Sequence, residues 1–176
     1  MDWRQEPIGR HHDRKAFDCG SPDLNRYARQ HHESGGAKTF VAVTPEQPTR
    51  VLGYYSISPG AVELTRVPAT LGRHEVPVFR LGRLAIDRSV QRQGLGSDLL
   101  LAAGERALAV STEVGGVAIA IDAKDAAAAT WYERFGALAL LDDPLKLILP
   151  LTIIAEALSA EAIPHRPLDN QPTPGA

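Results

Sequence analysis

Residues 81–97 read Leu-Gly-Arg-Leu-Ala-Ile-Asp-Arg-Ser-Val-Gln-Arg-Gln-Gly-Leu-Gly-Ser, and they decide the fold. An apolar strand ending at Asp87 is followed by a glycine-spaced loop and by a helix predicted over residues 94–110. Glycines let a backbone approach a ligand closely, and the first N–H groups of a helix have no partner inside it. Together with the helix dipole, these groups suit a pyrophosphate, to which Arg92 can add a charge-assisted contact.

Three kinds of phosphate-binding loop compete for this segment. A P-loop ends in Gly-Lys-Ser/Thr, whereas Gly96-Ser97 has no lysine between its residues. A dinucleotide fingerprint needs a third spaced glycine, which is absent. Residues 91–96 fit Gln/Arg-x-x-Gly-x-Gly/Ala and resemble the acyl-CoA loop of GNAT acyltransferases. A plain glycine-rich turn that caps a structural helix is the remaining alternative.

A second motif supports the resemblance to GNAT enzymes. Residues 128–136 read Ala-Ala-Thr-Trp-Tyr-Glu-Arg-Phe-Gly and are similar to the family's helix pattern Ala-x-x-Phe-Tyr-x-x-x-Gly-Phe. Trp131 replaces the usual Phe, and Ala137 stands where the family has Phe after the glycine. The resemblance covers about residues 3–151, and it implies an α/β GNAT fold. In that fold helices flank a mixed, mostly antiparallel sheet whose splayed strands form the acetyl-CoA cleft.

The chain is expected to contain one GNAT domain over residues 1–160 and a proline-rich, disordered tail over residues 161–176. Broken alternation beside Gly82 suggests a β-bulge. The patterns predict helices at 21–33, 94–110, 126–135 and 152–160, and strands at 39–43, 50–58, 61–67, 78–87, 117–121, 137–141 and 146–151. Asp125 is predicted to cap the helix at 126–135.

The resemblance also implies the site residues. The backbone of Leu84, Ala85 and Ile86 is expected to bind the pantetheine arm of acetyl-CoA. Tyr132 is expected to be the general acid, because a phenol with a pKa near 10 stays protonated and can donate to the departing thiolate. The alternative for Tyr132 is an aromatic residue packed under the sheet. The remaining cofactor-binding residues implied are Gln91, Arg92, Gln93, Gly94, Leu95, Gly96 and Ser97.

A narrower resemblance concerns the acceptor of the acetyl group. The segment Phe17-Asp18-Cys19-Gly20-Ser21 followed by Leu24-x-x-Tyr27, together with residues 81–87 and 142–147, is similar to GNAT toxins of bacterial type II toxin–antitoxin systems. It implies acetylation of the α-amine of aminoacyl-tRNA, which blocks translation. It also implies a homodimer and a ribbon-helix-helix antitoxin, through which alone operator DNA is contacted. An α-amine has a pKa near 8, so a strong protein base is dispensable.

Charge is distributed unevenly along a chain whose net charge is −2. The first hundred residues are net basic and the remainder net acidic, so the N-terminal portion could bind an anionic ligand or nucleic acid. An ordinary solvated surface is the alternative. The candidate contacts to tRNA phosphates are Lys38, Arg73, Arg80 and Arg83, with Arg92 at the loop.

Several other classes of site and location are disfavoured. Cys19 is the only cysteine, which excludes an intramolecular disulfide and favours a reducing, cytoplasmic location. The N-terminus lacks the apolar core of a signal peptide, and the apolar stretch at residues 147–158 is too short to span a membrane. No Cys/His cluster at metal spacing joins the pairs His11-His12 and His31-His32, so we expect no metal and solvated histidines.

Other functions remain open at this point. A GNAT enzyme can instead acetylate a protein N-terminus or a small amine. A GNAT-like domain can also bind acyl-CoA as a regulatory module without turnover, and a purely structural domain would bind no CoA.

Overall fold

A mixed α/β sheet organises the computed structural model, which describes residues 2–30, 36–63 and 75–161. The elements are β1 (Arg4–Pro7), α1 (Pro22–Gln30), β2 (Lys38–Val43), β3 (Gly53–Val62), β4 (Val76–Ile86), a 3₁₀ turn (Arg88–Val90), α2 (Leu95–Val114), β5 (Ala118–Asp122), α3 (Ala126–Glu133), β6 (Leu138–Ala139), β7 (Lys146–Pro150) and α4 (Leu151–Glu161). None of the helices in these ranges has both the length and the apolar character needed to cross a bilayer.

The strand order is β1-β2-β3-β4-β5-β7-β6. The β4–β5 pair is parallel, and the other neighbouring strands are antiparallel. The chain passes from β4 to β5 through α2, as a parallel connection requires. The predicted mixed, mostly antiparallel sheet is therefore confirmed.

The sheet opens at the middle of β4. Ser56 pairs with Arg83 and Ile57 with Leu81, so Gly82 is the extra residue of a β-bulge, as predicted. In the described residues β4 pairs with β5 only from Val78 to Leu81. The second half of β4 consequently has one edge without a strand partner, and this edge forms one wall of a cleft.

Two apolar layers hold the sheet. The layer between the sheet and helices α2, α3 and α4 contains Leu99, Ile119 and Leu147, each at most 1% exposed. The layer on the α1 side of the sheet contains Phe17 and Tyr54, also at most 1% exposed. Full burial of such side chains stabilises the fold by roughly 1.5–3 kcal/mol each. Both faces of the sheet are therefore firmly packed.

Most predicted elements are present, with shifted ends. β3 continues through Pro59-Gly60, because these residues keep their pairing with Phe79 and Val78, whereas two separate pieces were predicted. β1 was not predicted. The predicted end of the first helix at Glu33 and the strand residues beyond residue 63 lie outside the described residues. Of the predicted tail, only Glu161 lies inside them, as the last residue of α4.

Candidate active site

A cleft with a volume of about 390 Å³ lies between the open end of β4, the loop before α2 and helix α3. It brings together most of the residues that the sequence predicts for cofactor binding and catalysis. The lining residues are Leu84, Ile86, Gln91, Arg92, Gly94, Gly96, Ser97, Ala128, Trp131 and Tyr132.

The loop at residues 91–96 presents free N–H groups. Arg92 and Gly94 have φ values of 62° and 91°, a left-handed geometry that curls a backbone around an anion. The first α-helical hydrogen bond runs from the Asp98 N–H to the Gly94 carbonyl at 3.1 Å. The amides of residues 95–97 therefore lie at the helix N-terminus without intrahelical partners. This arrangement can bind a phosphate or pyrophosphate.

The open end of β4 presents a backbone edge to the same cleft. Leu84 and Ile86 are half-buried and line the cavity, whereas Ala85 points to the opposite layer and is 5% exposed. On its other edge this segment pairs with residues 53–55 of β3. A linear chain with amide groups can therefore lie along the free edge and exchange hydrogen bonds with it.

Tyr132 projects into the cleft from α3. Asp125 caps this helix by accepting a hydrogen bond from the Ala128 N–H at 2.8 Å, as predicted. Tyr132 is 9% exposed, and burial raises its pKa to about 12. Its hydroxyl has no hydrogen-bond partner within the described residues. Because every fully buried side-chain polar atom in those residues has a partner, this hydroxyl is not fully buried. The hydroxyl therefore stays protonated and is open to the cleft.

Sequence reasoning missed Trp131 as a site residue. Its ring lines the cleft, and a methyl group added to Gly96 would lie 3.5 Å from it. The ring also packs edge-on against Tyr132, with 4.9 Å between centroids. The available signal was its place beside Tyr132 in a motif position where the family has Phe.

The predicted tRNA contacts divide between the two faces of the sheet. Arg83 lies on the α1 face, with its guanidinium carbon 4.0 Å from the centre of the Tyr27 ring. Arg80 lies on β4 with Nη1 3.9 Å from Asp122. Lys38 is exposed and lines an apolar pocket against α2, so it is not brought together with these arginines. Arg73 lies outside the described residues.

The expectation of solvated histidines is wrong for His12, which is 4% exposed. Both His11 and His12 direct Nε2 at Glu6 Oε1, at 3.1 and 2.9 Å, because the turn after β1 folds them back onto that strand. His12 Nδ1 accepts the Gly9 N–H at 2.9 Å, which places the proton of the neutral ring on Nε2. Nε2 then has no lone pair for a metal. The pair at residues 31–32 lies outside the described residues.

Cys19 is half-buried. Its thiol donates to Asn25 Oδ1 at 3.2 Å, and burial raises its pKa. A protonated thiol is a poor nucleophile, so the geometry assigns this side chain to packing.

Comparison with known proteins agrees with this geometry. The acetyltransferase (GNAT) domain family matches residues 35–136. A tRNA-acetylating toxin of Mycobacterium tuberculosis is 35% identical over 141 residues, which are 76% of this chain and 83% of the relative.

Two solved structures are also similar. AtaT in complex with acetyl-methionyl-tRNAfMet has a TM-score of 0.82 and 27% identity, covering 89% of this chain and 99% of that one. A tyrosine-to-phenylalanine mutant of AtaT bound to acetyl-CoA and to the C-terminus of the antitoxin AtaR has a TM-score of 0.78 and 27% identity, covering 90% and 99%. On the family match and the curated relative, the chain belongs to the GNAT acetyltransferase family.

Proposed function

We propose that this chain is an acetyl-CoA-dependent N-acetyltransferase toxin that acetylates the α-amine of aminoacyl-tRNA and thereby blocks translation. One observation carries the proposal: a single cleft joins the free amides at the start of α2, the free edge of β4 and the Tyr132 hydroxyl. The similarity to a tRNA-acetylating toxin and to tRNA-bound AtaT supports the choice of acceptor.

The cleft fits acetyl-CoA by the chemistry of its donors. The amides of residues 95–97 and the left-handed turn at Arg92 and Gly94 suit a pyrophosphate, which needs donors and positive potential. The free backbone edge at Leu84–Ile86 suits the two amides of pantetheine. Trp131 and Ala128 supply apolar walls beside this path.

For the chemical step the protein must position the two substrates and supply one hydrogen-bond donor to the leaving sulfur. A neutral α-amine attacks the thioester carbonyl carbon, a C–N bond forms, the C–S bond breaks, and the sulfur takes the electron pair. Tyr132 donates to that sulfur as negative charge develops on it. The amine, with a pKa near 8, releases its own proton to solvent, so the site needs no strong base.

The α1 face is proposed to contact the tRNA. The guanidinium of Arg83 lies over the Tyr27 ring, which orders it for a phosphate contact. Arg80 lies on the same strand and face, and the proposal keeps Lys38 and Arg73 as more distant contacts.

The assembly and location follow from the same proposal. A ribbon-helix-helix antitoxin neutralises the enzyme and alone contacts operator DNA, and the active form is a homodimer in the cytoplasm. The AtaT–AtaR complex supports the antitoxin, and the ribbon-helix-helix class and the dimer rest on the resemblance to type II toxins.

The test is transfer of radiolabelled acetyl groups from acetyl-CoA to total charged tRNA, with deacylated tRNA as the control. We expect label on charged tRNA alone. Its absence, with CoA binding intact, contradicts the proposal and favours a small amine, a protein N-terminus or a regulatory module without turnover.

Reversal of charge at Arg83 tests the tRNA face. Arg83→Glu is expected to lower acetyl transfer to tRNA about tenfold at moderate salt, because a phosphate contact is replaced by repulsion. Arg10→Glu makes the same charge change at an exposed residue just beyond β1. Equal activity of the Arg83 and Arg10 variants would count against this face.

A further inference from the structure

The segment Asp18–Gly20 packs against the cofactor loop, although it lies some 70 residues before that loop in the sequence. We name this segment the brace. It follows Phe17, which is 1% exposed, and leads into α1. Its position is therefore fixed by core packing on one side and by a helix on the other.

Asp18 joins the brace to the start of the loop with its backbone and its side chain. Its N–H donates to Asp87 Oδ2 at 3.0 Å, and its carbonyl accepts the Arg88 N–H at 2.8 Å. Its Oδ2 lies 3.2 Å from Arg88 Nη1, and its Oδ1 accepts from Gly20 N at 2.9 Å and from Asn25 Nδ2 at 2.8 Å. Hydrogen bonding from Asn25 lowers the pKa of Asp18, so the carboxylate is ionised at neutral pH.

Gln91 makes the second attachment, at the first residue of the glycine-spaced loop. Its Nε2 donates to the Cys19 carbonyl at 3.0 Å and to the Ile86 carbonyl at 2.9 Å. Asp87 Oδ1 meanwhile accepts from Ser89 N at 3.0 Å and Ser89 Oγ at 2.6 Å. The loop is thus tied to the brace before its left-handed residues, and the Gln91 amide is occupied by the protein itself.

We propose that Asp18 is a positioning residue for the cofactor loop, acting through Asp87 and Arg88 to hold the free amides of α2 in the orientation that binds pyrophosphate. The loop contains two residues with left-handed backbone, and a loop released from the brace would sample other conformations. A loop that is already ordered loses less entropy when CoA binds, so it binds CoA more tightly. The proposal rests on the cofactor site and is independent of the acceptor's identity.

An electrostatic role and a positioning role for Asp18 predict opposite changes in the affinity for CoA when the carboxylate is removed. Removing a carboxylate near an anion site strengthens anion binding if charge alone matters. Removing a carboxylate that orders the site weakens the binding instead. Asp18→Ala therefore distinguishes the two effects, and Asp23→Ala is the matched control. Asp23 is five residues further on and is exposed, and its side chain accepts a hydrogen bond from Arg26 at 2.7 Å.

The measurement is the Kd for CoA by calorimetry with no acceptor present, followed by KM and kcat with acetyl-CoA. We expect Asp18→Ala to raise Kd and KM about tenfold, as expected for lost hydrogen bonds to a charged group, and to leave kcat at saturation within about twofold. Asp23→Ala should match the wild type. Because the Kd for CoA is measured without an acceptor, failure to acetylate tRNA does not affect that result.

If Asp18→Ala binds CoA as tightly as the wild type or more tightly, the proposal is overturned. A lower unfolding temperature with an unchanged Kd would also overturn it, because that pattern indicates a purely structural role. If Asp18→Ala does not fold, Gln91→Leu tests the proposal through the same measurements of Kd, KM and kcat. This variant does not change the net charge. Its control is Gln30→Leu, because Gln30 is an exposed residue at the end of α1, outside the cofactor loop. Equal Kd values for these two glutamine variants would also overturn the proposal.

Discussion

Replacing Tyr132 with phenylalanine removes one hydroxyl and little else. The hydroxyl has no partner in the described residues, so its loss leaves no orphaned donor or acceptor. Phenylalanine keeps the edge-on packing against Trp131. We therefore expect the unfolding temperature and the Kd for CoA to stay at the wild-type values.

The size of the catalytic effect follows from the pKa of Tyr132. Burial raises that pKa from 10 to about 12, which disfavours the phenolate by about 2.7 kcal/mol. Full proton transfer to a thiolate with a pKa near 8.5 would then be uphill by about 4.8 kcal/mol. We therefore expect Tyr132 to act mainly as a hydrogen-bond donor to the leaving sulfur, a contribution of about 1.5–3 kcal/mol. Tyr132→Phe should lower kcat about 10- to 10²-fold.

The assay is single-turnover acetyl transfer at saturating acetyl-CoA, between pH 7 and 10. The wild-type rate should show no falling limb from Tyr132 in this range, because its pKa is about 12. An unchanged rate in Tyr132→Phe would refute the donor role. A falling limb between pH 7 and 10 that disappears in the variant would refute the magnitude argument.

Two further predictions concern the loop and the buried histidine. Gly94→Ala should weaken CoA binding and lower the free energy of unfolding by about 1–2 kcal/mol, because φ is 91° although no atom lies within 4 Å of the added methyl. Gly36→Ala, with equal space and no positive φ, is the control in denaturant unfolding, and equal effects would contradict the conformational cause. Burial lowers the pKa of His12, so the unfolded chain binds a proton more readily, and stability should fall as pH drops below about 6.5. In urea unfolding, the free energy of unfolding of His12→Gln should fall less between pH 7 and pH 5 than that of the wild type. An equal fall in the two proteins would rule out His12 as its source.

The parts of the site that were predicted from sequence are governed by local rules. Glycine spacing located the loop before α2, and Asp125 marked the start of α3 because its side chain caps the helix. The interruption of alternation beside Gly82 located the bulge. In each case the causal residues are neighbours in the chain, so a short window of sequence contains the information.

The parts that were missed depend on contacts between distant residues. β1 has polar residues without alternation, and it is held by pairing with β2 and by the bond from the Tyr55 hydroxyl to Gln5 at 2.7 Å. The burial of His12 requires the turn that returns it to Glu6. The face on which Lys38 lies depends on the register between β2 and β3, which residue types alone do not determine.

The brace also bears on where a working fragment can begin and end. The family match, residues 35–136, contains all of the residues that line the cleft. It excludes Asp18–Gly20, which tie the loop, and β7, which pairs with the β5 wall of the sheet. A fragment limited to residues 35–136 would keep the residues that line the cleft, but it would lose the brace and the strand that hold them in position. During synthesis, likewise, the cleft is complete only after residue 150 has left the ribosome, when most of the chain has already been made.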